Sequence, residues 1–189
     1  MKAEKLNIDQ LIERCKKRDK AAQMQLYRQY YKAMYNTAFR ILKDEFEAED
    51  LMQEAFLTAF TKLSTFKGEV AFGAWLKRIV INKSLTQLKK NNRYSEVKME
   101  VVTDNDSVID VEINYEVLGV RNILNTINSL KDNYRIILNL HLIEGYDNEE
   151  IAEILSYTNE NVRTTISRAK KKLQQILLKE NPKISMYGR

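Results

Sequence analysis

Hydrophobic residues recur at helical spacing along most of this chain, and their pattern predicts eight α-helices in two groups of four. The first group spans about residues 8–18, 20–43, 46–63 and 70–90. The second group spans about residues 117–128 and 131–143, then a short and a longer helix within 145–178. Five glycines and one proline in 189 residues agree with a mainly helical protein, because turns normally use these residues. We therefore predict an all-α fold class with two small helical domains.

Apolar stripes on three helices of the first group mark its predicted core. On the second helix, the stripe consists of Tyr27, Tyr30, Tyr31, Met34, Tyr35, Ala38, Phe39 and Leu42. On the third helix, it consists of Leu51, Met52, Ala55, Phe56, Ala59, Phe60 and Leu63. On the fourth helix, it consists of Phe72, Trp75, Leu76, Ile79, Val80 and Leu88.

An acidic segment separates the two groups. Residues 96–116 carry one basic and seven acidic side chains, whereas residues 1–95 carry 19 basic and 11 acidic ones. The β-branched residues at 101–102 and 108–113 leave a short strand as an alternative, but the segment has no sustained helical stripe. We favour a flexible acidic linker, which would span about 25 Å as a random coil. The predicted domains are therefore residues 1–95 and 117–180, with a tail at 181–189.

The last two predicted helices have the pattern of a DNA-reading helix-turn-helix. Asp147, with Glu150 three residues later, predicts a capping box at the start of the short helix, and residues 156–159 predict the turn. The apolar stripe of the longer helix consists of Val162, Ile166, Ala169, Leu173, Ile176 and Leu177. The opposite face carries Arg163, Thr164, Thr165, Ser167, Arg168, Lys171 and Lys172. Because residues 161–183 contain seven basic residues and one acid, we favour DNA binding over a solvated amphipathic helix pair.

The first group carries an acidic segment followed by a basic one. Six acids cluster at the start of the third helix, namely Asp44, Glu45, Glu47, Glu49, Asp50 and Glu54. Charge alone fits a docking surface for a basic protein partner and a solvated surface equally well. Residues 62–93 then carry eight basic side chains against Glu69 alone. Phe66, in the loop before the fourth helix, is a candidate for stacking on unpaired bases, whereas Phe72 and Trp75 fit the core better.

Several function classes lack support in the sequence. No apolar run approaches the ~18 residues that a membrane-spanning helix needs. Cys15 is the only cysteine, which excludes an internal disulfide and fits a reducing cytoplasm. His141 is the only histidine and lies in an apolar helix, which favours a structural role. Without a phosphate-binding glycine loop or Cys/His metal spacing, we predict a cytoplasmic protein that is not an enzyme, with no cofactor, metal or small-molecule substrate.

Two long segments carry a resemblance to a known family. Residues 40–60 and 66–90 resemble conserved region 2 of bacterial sigma factors, and residues 130–173 resemble region 4. The similarity is closest to the small extracytoplasmic-function group of the sigma-seventy superfamily. It implies a subunit of RNA polymerase that directs promoter-specific transcription initiation, acts at the nucleoid and is controlled by an anti-sigma factor, which can hold it at a membrane. A stand-alone helix-turn-helix regulator is the alternative, and a nucleic-acid enzyme has little support.

The resemblance also implies roles for individual residues. Those that dock on the coiled coil of the largest polymerase subunit are Asp50, Leu51, Gln53 and Glu54. Those that capture the melted −10 promoter element are Phe66, Lys67, Arg78, Asn82 and Lys83. Those that read the duplex −35 element are Arg163, Thr164, Thr165, Ser167, Arg168 and Lys171, and the family commonly has arginine at the position of Thr165. Region 4 is also expected to hold the polymerase flap, and the linker to follow the RNA-exit path.

Overall fold

The computed structural model describes residues 8–91 and 119–180, which belong to two compact units. The first unit is Met1–Arg93 and the second is Tyr94–Arg189. Within the described ranges every regular element is helical, which confirms the predicted all-α fold class. The predicted linker at 96–116 and the tail at 181–189 lie outside the described residues, so the linker, its strand alternative and the finer domain boundaries stay predictions.

Within residues 8–91, the first unit consists of four α-helices and one short 3-10 turn. Its elements are α1 (Ile8–Lys16), α2 (Lys20–Leu42), α3 (Glu45–Thr61), the 3-10 turn (Leu63–Thr65) and α4 (Phe72–Lys90). Asp19 caps α2, because its Oδ1 accepts hydrogen bonds from the N–H groups of Ala21 and Ala22 at 2.9 and 3.1 Å. Asp44 caps α3 by accepting from the N–H of Glu47 at 3.0 Å. These caps fix the short connections from α1 to α2 and from α2 to α3, and helices α2, α3 and α4 pack on one another.

Helix α3 has its expected core except for Phe60, which is half-buried, and α2 differs more from its prediction. Leu51, Met52 and Phe56 are buried, whereas the aromatic residues predicted for the α2 core are only half-buried. These half-buried residues are Tyr27, Tyr30, Tyr31, Tyr35 and Phe39. Their places in the core are taken by Leu26, Thr37 and Ile41. Tyrosine rings suit the edge of a core, because the ring packs while the phenol oxygen stays within reach of water.

The buried face of α4 is also broader than the predicted stripe. Trp75 and Ile79 are half-buried, while Ile81, Ser84 and Leu85 are buried. Helix α4 packs against both α2 and α3, so two sides of it are covered rather than one stripe. The hydroxyl of Ser84 donates to the carbonyl of Val80 at 2.9 Å, which offsets the cost of burying this polar group.

The second unit places a helix-turn-helix on a small helical support. Its elements are α5 (Val120–Ser129), α6 (Asp132–Leu138), a π-helical segment (Asn139–Ile143), α7 (Asn148–Leu155) and α8 (Asn159–Glu180). The sequence predicted one continuous helix over 131–143, but it changes to π geometry, in which the N–H of Glu144 bonds the carbonyl of Asn139 at 2.9 Å. Buried Arg135 pairs with Asp132 at 2.7 Å. Ile176, predicted as core, is half-buried.

Candidate nucleic-acid and partner interfaces

The helix-turn-helix is built by local capping and one left-handed residue. Asp147 Oδ1 accepts from the N–H of Glu150 at 2.8 Å, and Glu150 Oε2 accepts from the N–H of Asp147 at 2.9 Å, which confirms the predicted capping box. Ser156 ends α7 with φ 58°. Thr158 Oγ1 accepts from the N–H of Asn161 at 3.2 Å, and α8 begins at Asn159, which was predicted to be in the turn. The turn is therefore only three residues long.

Helix α8 separates a buried face from a polar one. Its buried residues are Val162, Ile166, Ala169, Leu173 and Leu177. Of the residues predicted to read the −35 element, Arg163 and Ser167 are exposed, and Thr164, Thr165, Arg168 and Lys171 are half-buried. Arginine can donate two hydrogen bonds to a guanine edge in the major groove, and hydroxyl groups can bond several bases. The polar face of α8 thus has the chemistry of duplex DNA recognition.

His141 links the π-helical segment to α8. Its Nδ1 lies 3.4 Å from the carbonyl oxygen of Tyr146, and its Nε2 lies 3.3 Å from Nζ of Lys170. The ring can donate from Nδ1 and accept the lysine proton at Nε2 in one neutral tautomer. This arrangement agrees with the predicted structural role of the only histidine. The sequence pattern gave no signal for the contact with Lys170, which depends on how the two elements pack.

A cleft between α3 and α4 brings together two sets of predicted site residues. Its volume is about 340 Å³, and it is lined by Glu47, Asp50, Leu51, Glu54, Asn82, Lys83, Thr86, Gln87 and Lys90. Nζ of Lys83 lies 3.2 Å from Oε2 of Glu54, so a predicted −10 contact forms an ion pair with a predicted polymerase contact. Phe66, Lys67 and Arg78 do not line this cleft. The predicted −10 residues therefore do not form one contiguous cluster in the cleft.

The predicted docking residues differ in accessibility. Asp50, Gln53 and Glu54 are exposed on α3, whereas Leu51 is 6% exposed and packs in the core of the first unit. Residues 50, 53 and 54 share one side of the helix because helical neighbours recur every three to four residues, and Leu51 points away from it. The polar part of the predicted docking set is thus exposed, and Glu54 in it already pairs with Lys83.

The loop residue Phe66 belongs to an aromatic cluster. Its half-buried ring lies 5.7 Å from the ring of Phe72 and 5.3 Å from that of Trp75, measured between ring centroids. Tyr30 extends the cluster, with its ring 5.3 Å from that of Phe72. A Cβ on Gly73 would lie 2.9 Å from Cε1 of Tyr30, so glycine permits the close approach of α4 to α2. Phe66 is therefore anchored on one side while part of its surface stays accessible.

The lone cysteine is an inert core residue. Cys15 is 2% exposed. Burial, followed by the negative charge of Asp19, raises its pKa to about 11, against an opposing effect of Arg14. Because the thiolate is the reactive form, this environment disfavours redox chemistry. No metal-binding group of three or more His, Cys, Asp or Glu side chains occurs within residues 8–91 and 119–180, and no helix there is long and apolar enough to cross a membrane.

Comparisons with known proteins match both units. The family model for sigma-70 region 2 matches residues 26–94, and that for sigma-70 region 4 matches residues 121–173. The RNA polymerase sigma-H factor of Pseudomonas aeruginosa is 31% identical over 89% of this chain and 92% of its own length. The ECF RNA polymerase sigma factor SigW of Bacillus subtilis is 28% identical over 90% of this chain and 96% of its own length.

A solved structure supports the same assignment. The sigma factor RpoE of Bartonella quintana, in complex with the anti-sigma factor NepR, is 26% identical and has a TM-score of 0.56. The match covers 84% of this chain and 97% of RpoE. With family-model matches in both units, a relative 31% identical over 92% of its length, an ECF sigma factor among the other relatives and this shared fold, the chain belongs to the extracytoplasmic-function group of the sigma-70 family of RNA polymerase sigma factors.

Proposed function

We propose that this sigma factor contacts a promoter at two points, with the first unit capturing the melted −10 element and the second unit reading the −35 element. The observation that carries the proposal is the combination, in one chain, of a helix-turn-helix with a basic outer face and a helical unit with adjacent acidic and basic surfaces. A stand-alone DNA-binding regulator needs the helix-turn-helix but has no use for an acidic docking helix.

The −35 contact is assigned to the polar face of α8. Exposed Arg163 and Ser167 are one helical turn apart, so both can enter the same stretch of major groove. Half-buried Thr164, Thr165, Arg168 and Lys171 complete the set. At the position of Thr165 many members of the family carry arginine. A threonine offers one hydroxyl and a methyl group where arginine offers a planar fork, so the base preference at this position should differ from that of such members.

The −10 contact is assigned to the 66–67 loop and to three residues of α4. Phe66 supplies a partly accessible ring that is already held by Phe72 and Trp75, which suits stacking on an unpaired base. Lys67 is exposed beside it. Arg78 and Asn82 lie one turn apart on α4, and Lys83 follows at the edge of the cleft. Basic and amide side chains next to an aromatic ring fit single-stranded DNA better than a duplex groove.

The acidic side of α3 is assigned to core polymerase. Asp50, Gln53 and Glu54 are exposed, and Glu54 is engaged by Lys83 in the free protein. A basic polymerase element that binds Glu54 would compete with Lys83 and release the ammonium group toward DNA. Docking and −10 capture would then be coupled, because both use the same ion pair.

We also propose how this chain is regulated and where it acts. RpoE of Bartonella quintana was solved with an anti-sigma factor, and we infer that an anti-sigma factor also controls this chain. The protein is expected to act in the cytoplasm, at the nucleoid, and to be held at the membrane only by such a partner. It is expected not to be an enzyme, because the family supplies specificity to a polymerase that performs the chemistry. The acidic residues of 96–116 would follow the RNA path, where negative charge avoids promoter DNA.

The test uses the full chain and purified core RNA polymerase. Co-elution on gel filtration, followed by transcription from genomic fragments that starts at defined promoters, is the expected result. If the chain does not bind the polymerase but binds duplex operators tightly on its own, the regulator alternative is correct. Mapping the start sites would also identify the −10 and −35 sequences.

A further inference from the structure

The polar residues assigned to polymerase docking leave the interface without an apolar centre. Leu51, the apolar residue of the predicted set, is 6% exposed and packs in the core. Ion pairs between exposed side chains contribute little to affinity on their own, and stable interfaces are usually centred on buried apolar or aromatic anchors. A docking surface made only of Asp50, Gln53 and Glu54 would therefore bind weakly and lose affinity steeply with salt.

Two exposed apolar side chains lie on the same helix. Phe46 is 82% exposed and Leu57 is 68% exposed, both on α3. They are eleven residues apart, which places them on one face about 16 Å from each other along the helix axis. Asp50 and Gln53 lie between them on that face, at spacings of four and seven residues from Phe46. The face formed by Phe46, Asp50, Gln53 and Leu57 is called here the α3 outer face.

We infer that Phe46 and Leu57 are the apolar anchors by which the α3 outer face docks on a basic α-helix of the core polymerase. The inference rests on the polymerase docking proposed above and adds two residues to it. Carboxylates surround the face, with exposed Glu45, Glu49 and Glu54 beside Asp50, so the partner must carry lysine or arginine. The face is a straight strip about 16 Å long, which a second helix matches with apolar residues at both ends and basic ones between.

The negative charge of the α3 outer face argues against nucleic acid as its partner. Five carboxylates lie at the start of α3, counting partly buried Glu47 with Glu45, Glu49, Asp50 and Glu54, and phosphate groups would be repelled there. A second copy of this chain is the competing occupant, because α4 and α8 also present basic residues.

The experiment measures the affinity of the full chain for purified core RNA polymerase by fluorescence titration at several salt concentrations, without DNA. Phe46→Ala is expected to weaken binding by about tenfold and Leu57→Ala by about fivefold, since each removes an anchor from water-excluded contact. In both variants, the slope of log affinity against log salt concentration should equal that of the wild type. Glu54→Gln should weaken binding and make the slope shallower, because it removes a charge pair.

Met24→Ala is the matched control, because Met24 is an apolar side chain that is 50% exposed on a different helix, α2. It should bind as the wild type does, and thermal unfolding should show that all variants fold. If the wild type fails to bind, the proposed function itself is wrong. If the wild type binds and Phe46→Ala/Leu57→Ala binds as tightly as Met24→Ala, the inference is wrong while the function stands. Sedimentation showing a dimer that only the double variant abolishes, with polymerase binding unchanged, would reassign the face to self-association.

Discussion

Replacing Lys83 by glutamine should weaken the binding of promoter DNA while it changes the folding stability of the first unit only a little. Nζ of Lys83 lies 3.2 Å from Oε2 of Glu54, and the two side chains are 30% and 71% exposed. An ion pair this open to water contributes between 0 and about 1 kcal/mol to the free energy of unfolding. For a domain of this size, 1 kcal/mol corresponds to a change of about 4–8 °C in Tm. Lys83→Gln should therefore lower the Tm by no more than this amount.

The same substitution should change both the affinity for promoter DNA and the dependence of that affinity on salt. If Lys83 contacts a phosphate of the melted −10 strand, its loss should weaken binding of a fork-junction DNA by the sigma–core complex several-fold. The slope of log affinity against log salt should fall by about 0.7, the value for one contact to single-stranded DNA. The variant should still bind core polymerase alone, because the substitution frees the carboxylate of Glu54 from its ion pair with Lys83 and leaves that carboxylate in place.

Lys32→Gln provides the control, since Lys32 is exposed on α2 outside the predicted surfaces. It should leave both the affinity for the fork junction and the salt slope unchanged. A Tm loss well beyond 4–8 °C in Lys83→Gln would mean that the ion pair is structural, contrary to its exposure. An unchanged salt slope and affinity in Lys83→Gln would remove Lys83 from the −10 contact.

Three further predictions concern the second unit, the core and the two promoter elements. Asp147→Ala should cost about 1 kcal/mol by removing the cap of α7, seen as a lower Tm of the second unit, whereas Asp147→Asn should retain most of it. Cys15 should be alkylated at pH 8 about 100-fold more slowly in the folded than in the unfolded protein, because its pKa rises from 9.0 to about 11. Equal alkylation rates in the folded and unfolded protein would contradict the burial of Cys15. Since the folded state holds the thiol proton more tightly, the free energy of unfolding should also decrease as the pH rises from about 9 toward 11. Arg168→Ala should reduce transcription that depends on the −35 sequence, while Asn82→Ala should impair promoter opening; equal effects of both variants on both elements would refute the assignments.

Most helices and the helix-turn-helix are predictable from the order of residues along the chain. Helical spacing of apolar residues predicted the helices to within a few residues, except that the helix predicted over 131–143 leaves α geometry after Leu138, because each apolar stripe must be buried against something. The capping box of Asp147 and Glu150 was also predictable from the sequence, because its two hydrogen bonds join residues that are only three positions apart. The resemblance to sigma factors likewise depended on the order of residues along the chain, and the comparisons confirm it.

The packing of the helices against one another determines which side of each helix is buried and which charged side chains form ion pairs. The sequence placed Leu51 both in the core stripe and in the docking set, and only the packing of α3 shows it to be buried while Phe46 and Leu57 remain exposed. The pairing of Lys83 with Glu54 joins residues 29 positions apart. Such contacts depend on the distance and rotation between helices, which periodicity within one helix does not encode. An apolar stripe on a helix predicts that the helix packs against others. The positions of the neighbouring helices determine which of its residues stay exposed and can contact a partner protein.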